Sequence, residues 1–215
     1  MSLTLYYHPL SSFCQKVLIA LYEADTPFAP HLVDFGDTES ARQFRALWPV
    51  GRFPVLRDAE RDRLVPESSV IIEYLARHYP GSAALVPDDA DVARVVRAKD
   101  RFFDLNVQVP MQQIVGDRLV PEDERRPRVV ADGRAMLETA YGLIERDMAE
   151  RTWAMGERFT MADCAAAPAL SYADRVAPIG AQHPHTRRYL ERLKARPSFA
   201  RAEREAEPFF HMFPG

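Results

Sequence analysis

The chain has few cysteines and no long apolar run, and each shortage excludes a class of protein. Its 215 residues include only Cys14 and Cys164, which lie far apart in sequence and do not indicate a disulfide framework. A membrane-spanning helix needs about 18 or more apolar residues in a row, and no such run is present. The first residues enter a predicted strand rather than a signal peptide. We therefore expect a cytoplasmic protein with no part in a membrane.

The charge balance gives little support to a nucleic-acid partner. The net charge is -3, and the arginines are spread through predicted helices instead of forming one basic block. Even the arginine-rich segment 187–204 is interleaved with glutamates, which is typical of a solvated helix face. Apolar residues make up 47% of the chain, enough for a folded core.

Strands and helices alternate through the first 80 or so residues. The apolar patterns and cap residues predict a strand at 3–7, a helix at 13–24, a second strand flanked by Pro27 and Pro30 and ending near Phe35, and a helix at 38–48. Short strands at 54–57 and 63–65 and a helix at 68–79 follow. The predicted order is βαβαββα.

From Pro87 onward the pattern is helical only, with apolar residues recurring at steps of three and four. We expect an α/β domain over residues 1–81 and an all-α domain over 82–215. Within the second part, Thr160 and Asp163 predict a helix start, because Thr160 can cap the helix and Asp163 can reach back to it.

Two stretches of the first part indicate a ligand site. Gly51 to Leu56 reads as a turn that enters a strand through Pro54, and Glu67 with Ser68 stands at the start of a helix. A helix N-terminus presents unpaired N–H groups and a partial positive charge, which suit an anion. A glutamate beside it suits an ammonium group. Together they fit the α-amino-acid end of a small molecule.

The whole chain resembles the soluble glutathione transferases. The resemblance is carried by Ser11-Ser12-Phe13-Cys14 after the first strand, Gly51-Arg52-Phe53-Pro54 before the third, Glu67-Ser68, and the segment 159–163. It implies a thioredoxin-like domain that binds glutathione, a helical domain that shapes the pocket of a second substrate, and a homodimer. Trp48 and Phe53 depart from the usual family residues, so the class within the family stays open.

The resemblance implies that the protein holds the thiol of glutathione as a thiolate. A free thiol has a pKa near ~8.5, and lowering it by two units takes roughly 2.7 kcal/mol. One hydroxyl donor to a charged acceptor contributes about 1.5–3 kcal/mol, so a single serine is sufficient. The resemblance gives this role to Ser11, with Ser12 and Tyr7 as the other candidates. Ser11 as a simple helix cap is the structural alternative.

Cys14 does not form a dithiol motif, because Ser11 stands where thioredoxin-like proteins carry the first cysteine. We expect Cys14 to face the core.

Further binding roles also follow from the resemblance. Pro54 is expected to be cis, so that the backbone of Phe53 pairs with the cysteinyl part of glutathione. Ser68 is expected to receive the γ-glutamyl carboxylate, with Glu67 near the amine, and Arg52 to reach the glycyl carboxylate. The alternatives are an ordinary edge-strand proline and plain helix capping by Glu67 and Ser68.

The second substrate, a small apolar electrophile, is expected in a pocket formed by Leu10, Phe103, Val107 and Met111, with the aromatic tail 209–213 as a possible contributor. For that tail, simple packing against the domain is the alternative role. No metal site is expected, because His183 and His185 have no third ligand nearby in sequence.

The leading prediction is therefore a glutathione transferase that acts on a small electrophile. Two alternatives stay open: a glutathione-dependent isomerase of the maleylacetoacetate type, which Ser11-Ser12 favours, and a non-catalytic relative that binds glutathione or apolar ligands.

Overall fold

A computed structural model describes residues 2–214 of the chain, the side chain of Ala83 excepted. In these residues four strands form one sheet: β1 (Leu3–Tyr7), β2 (Ala29–Leu32), β3 (Val55–Asp58) and β4 (Arg63–Pro66). The spatial order is β2-β1-β3-β4, with β1 parallel to β2 and the other neighbours antiparallel. The helices of this part are α1 (Ser12–Glu23), α2 (Thr38–Leu47) and α3 (Ser68–His78). The predicted βαβαββα order is confirmed.

The second strand differs from its prediction. It ends at Leu32, three residues before Phe35, and Pro30 lies inside it, paired with Leu5, instead of flanking it. A proline cannot donate a hydrogen bond, but β2 is an edge strand and needs partners on one side only. The edge position is a property of the sheet and cannot be deduced from the strand's own residues.

The remainder is helical: α4 (Ala90–Phe103), α5 (Val109–Arg118), α6 (Pro127–Met148), α7 (Met161–Val176), α8 (Pro184–Lys194) and α9 (Pro197–Ala206). A π-helical turn, Asp104–Gln108, joins α4 to α5, and short 3-10 helices cover Pro80–Leu85, Glu122–Glu124 and Glu207–Met212. Helix α1 packs against both α7 and α9, so the two parts share one core. The division at residue 81 stays a prediction.

Helix α7 is the buried centre of the helical part, and its start matches the predicted capping box. The carboxylate of Asp163 accepts hydrogen bonds from the backbone N–H groups of Thr160 (2.9 Å) and Ala154 (2.8 Å) and from the hydroxyl of Tyr189 (2.6 Å). These bonds fix the first turn of α7 to the preceding loop and to α8.

Buried charges hold α1 against the helical part. Lys16 of α1 is 1% exposed, and its ammonium lies 2.6 Å from Asp100 and 2.8 Å from Asp104. Its third neighbour is the hydroxyl of Ser69 in α3, at 2.8 Å, which in turn donates to Asp100. A buried ammonium is tolerated only when it is paired in this way. The network therefore fixes the start of α3 relative to α1 and α4.

Candidate functional site

A cavity of about 390 Å³ opens where the N-terminus of α1 meets α5 and the C-terminal segment. Its wall is formed mainly by apolar side chains, with a few polar side chains among them. The lining residues are His8, Leu10, Ser11, Ser12, Val33, Asp34, Phe35, Gly36, Phe53, Gln108, Met111, Gln112, Val115, Leu119, Tyr172, Met212, Phe213 and Pro214. Its size and character are those of a small-molecule site.

Both candidate serines line this cavity. Ser11 is the N-cap of α1, and its Oγ accepts a hydrogen bond of 3.4 Å from the backbone N–H of Cys14. Because that bond uses a lone pair only, the hydroxyl proton of Ser11 is free to point at an anion. Ser12 is 6% exposed and begins the helix. The structure thus places two hydroxyls and a helix N-terminus at one wall.

Tyr7, the third candidate, does not line the cavity. Burial raises the pKa of its phenol, and the nearby carboxylate of Glu205 raises it further. Glu205 accepts a hydrogen bond from Tyr22 on α1. The surroundings of Tyr7 are therefore those of the α1–α9 packing.

His8, the residue after β1, also lines the cavity and was not among the predicted site residues. Its Nδ1 accepts a hydrogen bond from the backbone N–H of Leu10, and burial lowers the pKa of the imidazole. At neutral pH the ring is uncharged and carries its proton on Nε2. His8 can therefore donate a hydrogen bond into the cavity but cannot act there as a base through Nε2.

Cys14 is fully buried one turn into α1, as expected. Burial raises the pKa of its thiol to about 12. The thiol is therefore protonated at neutral pH and is not a nucleophile.

A second, smaller pocket of about 150 Å³ contains every residue expected to bind glutathione. Its lining is Phe13, Arg52, Phe53, Pro54, Glu67 and Ser68. The Phe53–Pro54 peptide bond is cis, as the resemblance implied. Phe53 lines both pockets, so they adjoin along its side chain.

Phe53, the aromatic residue before Pro54, belongs to an aromatic cluster next to the two pockets. The ring of Phe53 stacks on Phe35 with centroids 5.2 Å apart, and Phe44 lies behind it at 6.4 Å. Arg45 covers the other side of this cluster, 5.4 Å from the ring of Phe35. A small β-branched residue could not make these contacts.

Glu67 has an unusual backbone conformation and does not cap α3 with its side chain. It precedes α3 with φ at 71° and ψ at 121°, and its side chain makes no capping hydrogen bond within residues 2–214. A positive φ costs a non-glycine residue on the order of 1–3 kcal/mol. Such strain is common where a side chain must face a ligand.

The expected electrophile pocket requires a correction. Leu10 and Met111 line the main cavity, but Phe103 and Val107 do not. Phe103 is 3% exposed and Val107 0%, and both belong to the hydrophobic core. Their apolar spacing marks the inward face of the helix, which here packs on α7 and the π-helical turn instead of facing the cavity.

Several residues that line the cavity could not be predicted from the sequence, because they belong to no recognisable motif. Tyr172 of α7 donates a hydrogen bond of 2.8 Å from its hydroxyl to the carbonyl of Leu10, and Gln15 donates to the same hydroxyl. These contacts fix the segment before Ser11 to the helical part. The aromatic tail both packs against the helical part and contributes to the cavity. Phe210 and Phe213 pack on Tyr172, and Met212 and Phe213 line one side of the cavity.

No group of three or more metal-ligating side chains is placed to hold an ion in residues 2–214. In the same range no helix is long and apolar enough to cross a bilayer.

A mixed sheet with a cis-proline at one end, followed by helices that complete a cavity beside it, defines a thioredoxin-like protein with an added helical part. Two family models match the chain: the glutathione S-transferase N-terminal domain over residues 5–83 and the C-terminal domain over residues 124–192. Together they cover more than half of its length. The chain belongs to the glutathione S-transferase family.

Similar proteins extend over nearly the whole chain. The glutathione S-transferase GstB of Escherichia coli (strain K12) is 26% identical over 91% of this chain and 95% of its own. The maleylacetoacetate isomerase of Pseudomonas aeruginosa is 28% identical over 97% of this chain and 98% of its own. A glutathione S-transferase of Methylobacillus flagellatus, crystallised with glutathione bound, superposes with a TM-score of 0.84 at 25% identity, over 94% of this chain and 98% of its own.

Proposed function

We propose that the protein is a glutathione transferase that ionises the thiol of bound glutathione for attack on a small electrophile. The observation that carries this proposal is the adjacency of the two pockets. The smaller one collects Arg52, Phe53, Glu67 and Ser68, and the larger one has Ser11 at the start of α1. A tripeptide lying across Phe53 would bring its cysteinyl sulfur toward the α1 N-terminus.

Each end of glutathione has a matching group. The γ-glutamyl carboxylate binds at the N-terminus of α3, where Ser68 is 5% exposed, and its ammonium pairs with the exposed Glu67. The glycyl carboxylate pairs with Arg52. The cysteinyl backbone pairs with the backbone of Phe53, which the cis bond to Pro54 turns outward.

The thiol then loses its proton to solvent, and Ser11 stabilises the anion. Its hydroxyl donates a hydrogen bond to the sulfur, and the α1 N-terminus adds the favourable field of its unpaired N–H groups. A base is not required, because stabilising the thiolate is enough to populate it at neutral pH. The sulfur attacks an electrophile held in the main cavity.

The test is the substitution Ser11→Ala, with Ser12→Ala as the matched control. With glutathione and a generic aryl halide, Ser11→Ala should lower kcat/KM by roughly tenfold to a hundredfold, the effect of one hydrogen bond to a charged group. The pKa of the bound thiol, followed by thiolate absorbance, should rise toward its free value of about 8.5. Ser12→Ala should change kcat/KM by no more than about twofold and should leave the pKa of the bound thiol at its wild-type value.

Other outcomes contradict parts of the proposal. If Ser12→Ala lowered kcat/KM and raised the thiol pKa while Ser11→Ala did not, Ser12 would be the residue that stabilises the thiolate. If wild-type protein binds glutathione without any change in the thiol pKa, the protein is a non-catalytic relative that binds glutathione.

An isomerase function is the second candidate, and the Pseudomonas aeruginosa maleylacetoacetate isomerase, alike over nearly the full length, favours it. The same thiolate would add reversibly to a conjugated double bond and leave after rotation about it. A direct assay of cis–trans isomerisation of maleylacetoacetate in the presence of glutathione separates the two functions.

We further propose that the protein is a homodimer formed through α3 and α4. Three valines on these helices are unusually exposed: Val70 at 52%, Val92 at 43% and Val95 at 40%. The Arg97–Glu73 ion pair, at 2.8 Å, links α3 and α4. An apolar patch edged by charges is typical of a subunit interface.

A further inference from the structure

Gln108 has a buried amide with no hydrogen bond. It is the last residue of the π-helical turn between α4 and α5, and it is 2% exposed. Neither its Nε2 nor its Oε1 has a hydrogen-bond partner in residues 2–214. Burying an unpaired amide is unfavourable, and nearly all buried polar groups in proteins are paired. The position is therefore destabilising unless the amide serves a ligand.

The location of Gln108 points to the second substrate. It lines the main cavity together with Ser11 and Ser12, and it also lines a narrow crevice behind Ser12. Because its amide makes no hydrogen bond with the described residues, the side chain can turn toward the cavity without breaking one. A π-helical turn inside a helix is frequent at functional sites.

We propose that Gln108 determines specificity by donating a hydrogen bond from Nε2 to a carbonyl oxygen of the electrophile, and that the substrates are α,β-unsaturated carbonyl compounds. The inference rests on the proposed transferase function. The apolar wall surrounds the hydrocarbon part of such a molecule, and the Nε2 of Gln108 donates to its carbonyl oxygen. The neighbouring Gln112 is exposed, so its amide is already solvated.

The reaction explains why a donor at this place is useful. The thiolate sulfur forms a bond to the β-carbon, and the electron pair of the carbon–carbon double bond moves toward the carbonyl, whose oxygen becomes an enolate. The hydrogen bond from Gln108 strengthens as that charge develops, which lowers the barrier. Water then protonates the α-carbon, which replaces the proton that the thiol released. No oxidant or further reactant is needed.

The experiment compares two electrophiles with glutathione: trans-4-phenyl-3-buten-2-one, which carries a conjugated carbonyl, and benzyl chloride, which has no hydrogen-bonding group. Gln108→Met keeps the length and shape of the side chain but removes the donor. It should lower kcat/KM for the enone by roughly tenfold to a hundredfold. The value for benzyl chloride should stay within about twofold, and Gln113→Met, at an exposed glutamine of α5 outside both pockets, should leave both values unchanged.

Stability and binding give independent readouts. Gln108→Met should fold with an unchanged or higher Tm, because it replaces an unpaired buried amide by an apolar group. Should that variant not fold, Gln108→Leu serves in its place. The glutathione conjugate of the enone should bind the variant several-fold more weakly than wild type, whereas S-benzylglutathione should bind both equally.

Failure of the inference and failure of the function are distinguishable. Equal losses for both electrophiles, or no loss for the enone, would overturn the role of Gln108 while the transferase function stands on the wild-type turnover of benzyl chloride. Wild-type protein that turns over neither electrophile would overturn both.

Discussion

Glu67 shows at the scale of one residue how a binding role can be read from the backbone. Its positive φ lies in a region that favours glycine, yet the chain has a glutamate there whose side chain is exposed at the smaller pocket. A glycine would remove the strain and also the charge. This conformation is consistent with the ammonium contact proposed for the Glu67 carboxylate at the start of α3.

Glu67→Gln should raise the KM for glutathione by roughly twofold to fivefold with little change in kcat, because an exposed ion pair contributes only about 0.2–1 kcal/mol. Glu60→Gln is a matched control, since Glu60 is an exposed glutamate on the β3–β4 turn outside both pockets. Steady-state kinetics with varied glutathione measure both. An unchanged KM for Glu67→Gln would contradict the proposed contact between Glu67 and the ammonium group of glutathione.

At the scale of elements, one buried carboxylate clamps the sheet to α3. Asp58 at the end of β3 is 0% exposed and accepts hydrogen bonds from the hydroxyls of Tyr74 (2.7 Å) and Tyr79 (2.8 Å). Burial by itself would raise the pKa of Asp58, but these bonds outweigh it and hold the pKa at about 2. The folded state thus binds the proton more weakly than the unfolded chain.

The stabilisation from Asp58 should be complete above about pH 4, where the unfolded carboxyl also ionises, and should be lost as the pH falls through about 2. Asp58→Asn should lower Tm at pH 7 and flatten the dependence of Tm on pH between these limits. Thermal unfolding followed by circular dichroism measures this. Asp62→Asn, on the exposed end of the same turn, should keep the wild-type slope; equal slopes for Asp58→Asn and wild type would contradict the assignment.

At the scale of the whole molecule, the site depends on how its two parts are held together. The buried Lys16 network joins α1 and α3 to the helical part, and Tyr172 pins the segment before Ser11 to α7. The smaller pocket is built by the first part alone, whereas the main cavity needs both. Its shape therefore follows from the packing between them.

The proposed dimer belongs to this scale. Wild-type protein should have twice the mass of one chain by light scattering, and Val95→Asp should convert it to monomer, because a carboxylate buried in an interface is strongly unfavourable. Met136→Asp is the control, since Met136 is an equally exposed apolar residue, at 44%, on α6. A monomeric wild type, or dissociation caused by both substitutions, would contradict the interface.

The order of elements could be predicted because its signals are local. The side chain of Asp37 caps α2 by accepting a 2.8 Å hydrogen bond from the backbone N–H of Glu39, and the predicted box of Thr160 and Asp163 is present. Such contacts lie within three or four residues, so neighbouring sequence is enough to define them. Most residues of the smaller pocket could likewise be predicted from the sequence, because they belong to two short motifs at the ends of strands and helices.

The main cavity was only partly predictable because it depends on helix rotation. The sequence alone determined the order of strands and helices in the first part, the capping box that begins α7 and the residues of the two short motifs. The tertiary structure decided that Phe103 and Val107 face the core, and it brought His8, Gln108 and Tyr172 to one wall. One physical reason is that the π-helical turn Asp104–Gln108 interrupts the 3.6-residue repeat, so the orientations of Val107 and Gln108 do not follow from spacing counted along a regular helix. The other is that His8, Phe103 and Tyr172 lie on separate segments, whose orientation toward the cavity or the core is set only when those segments pack together.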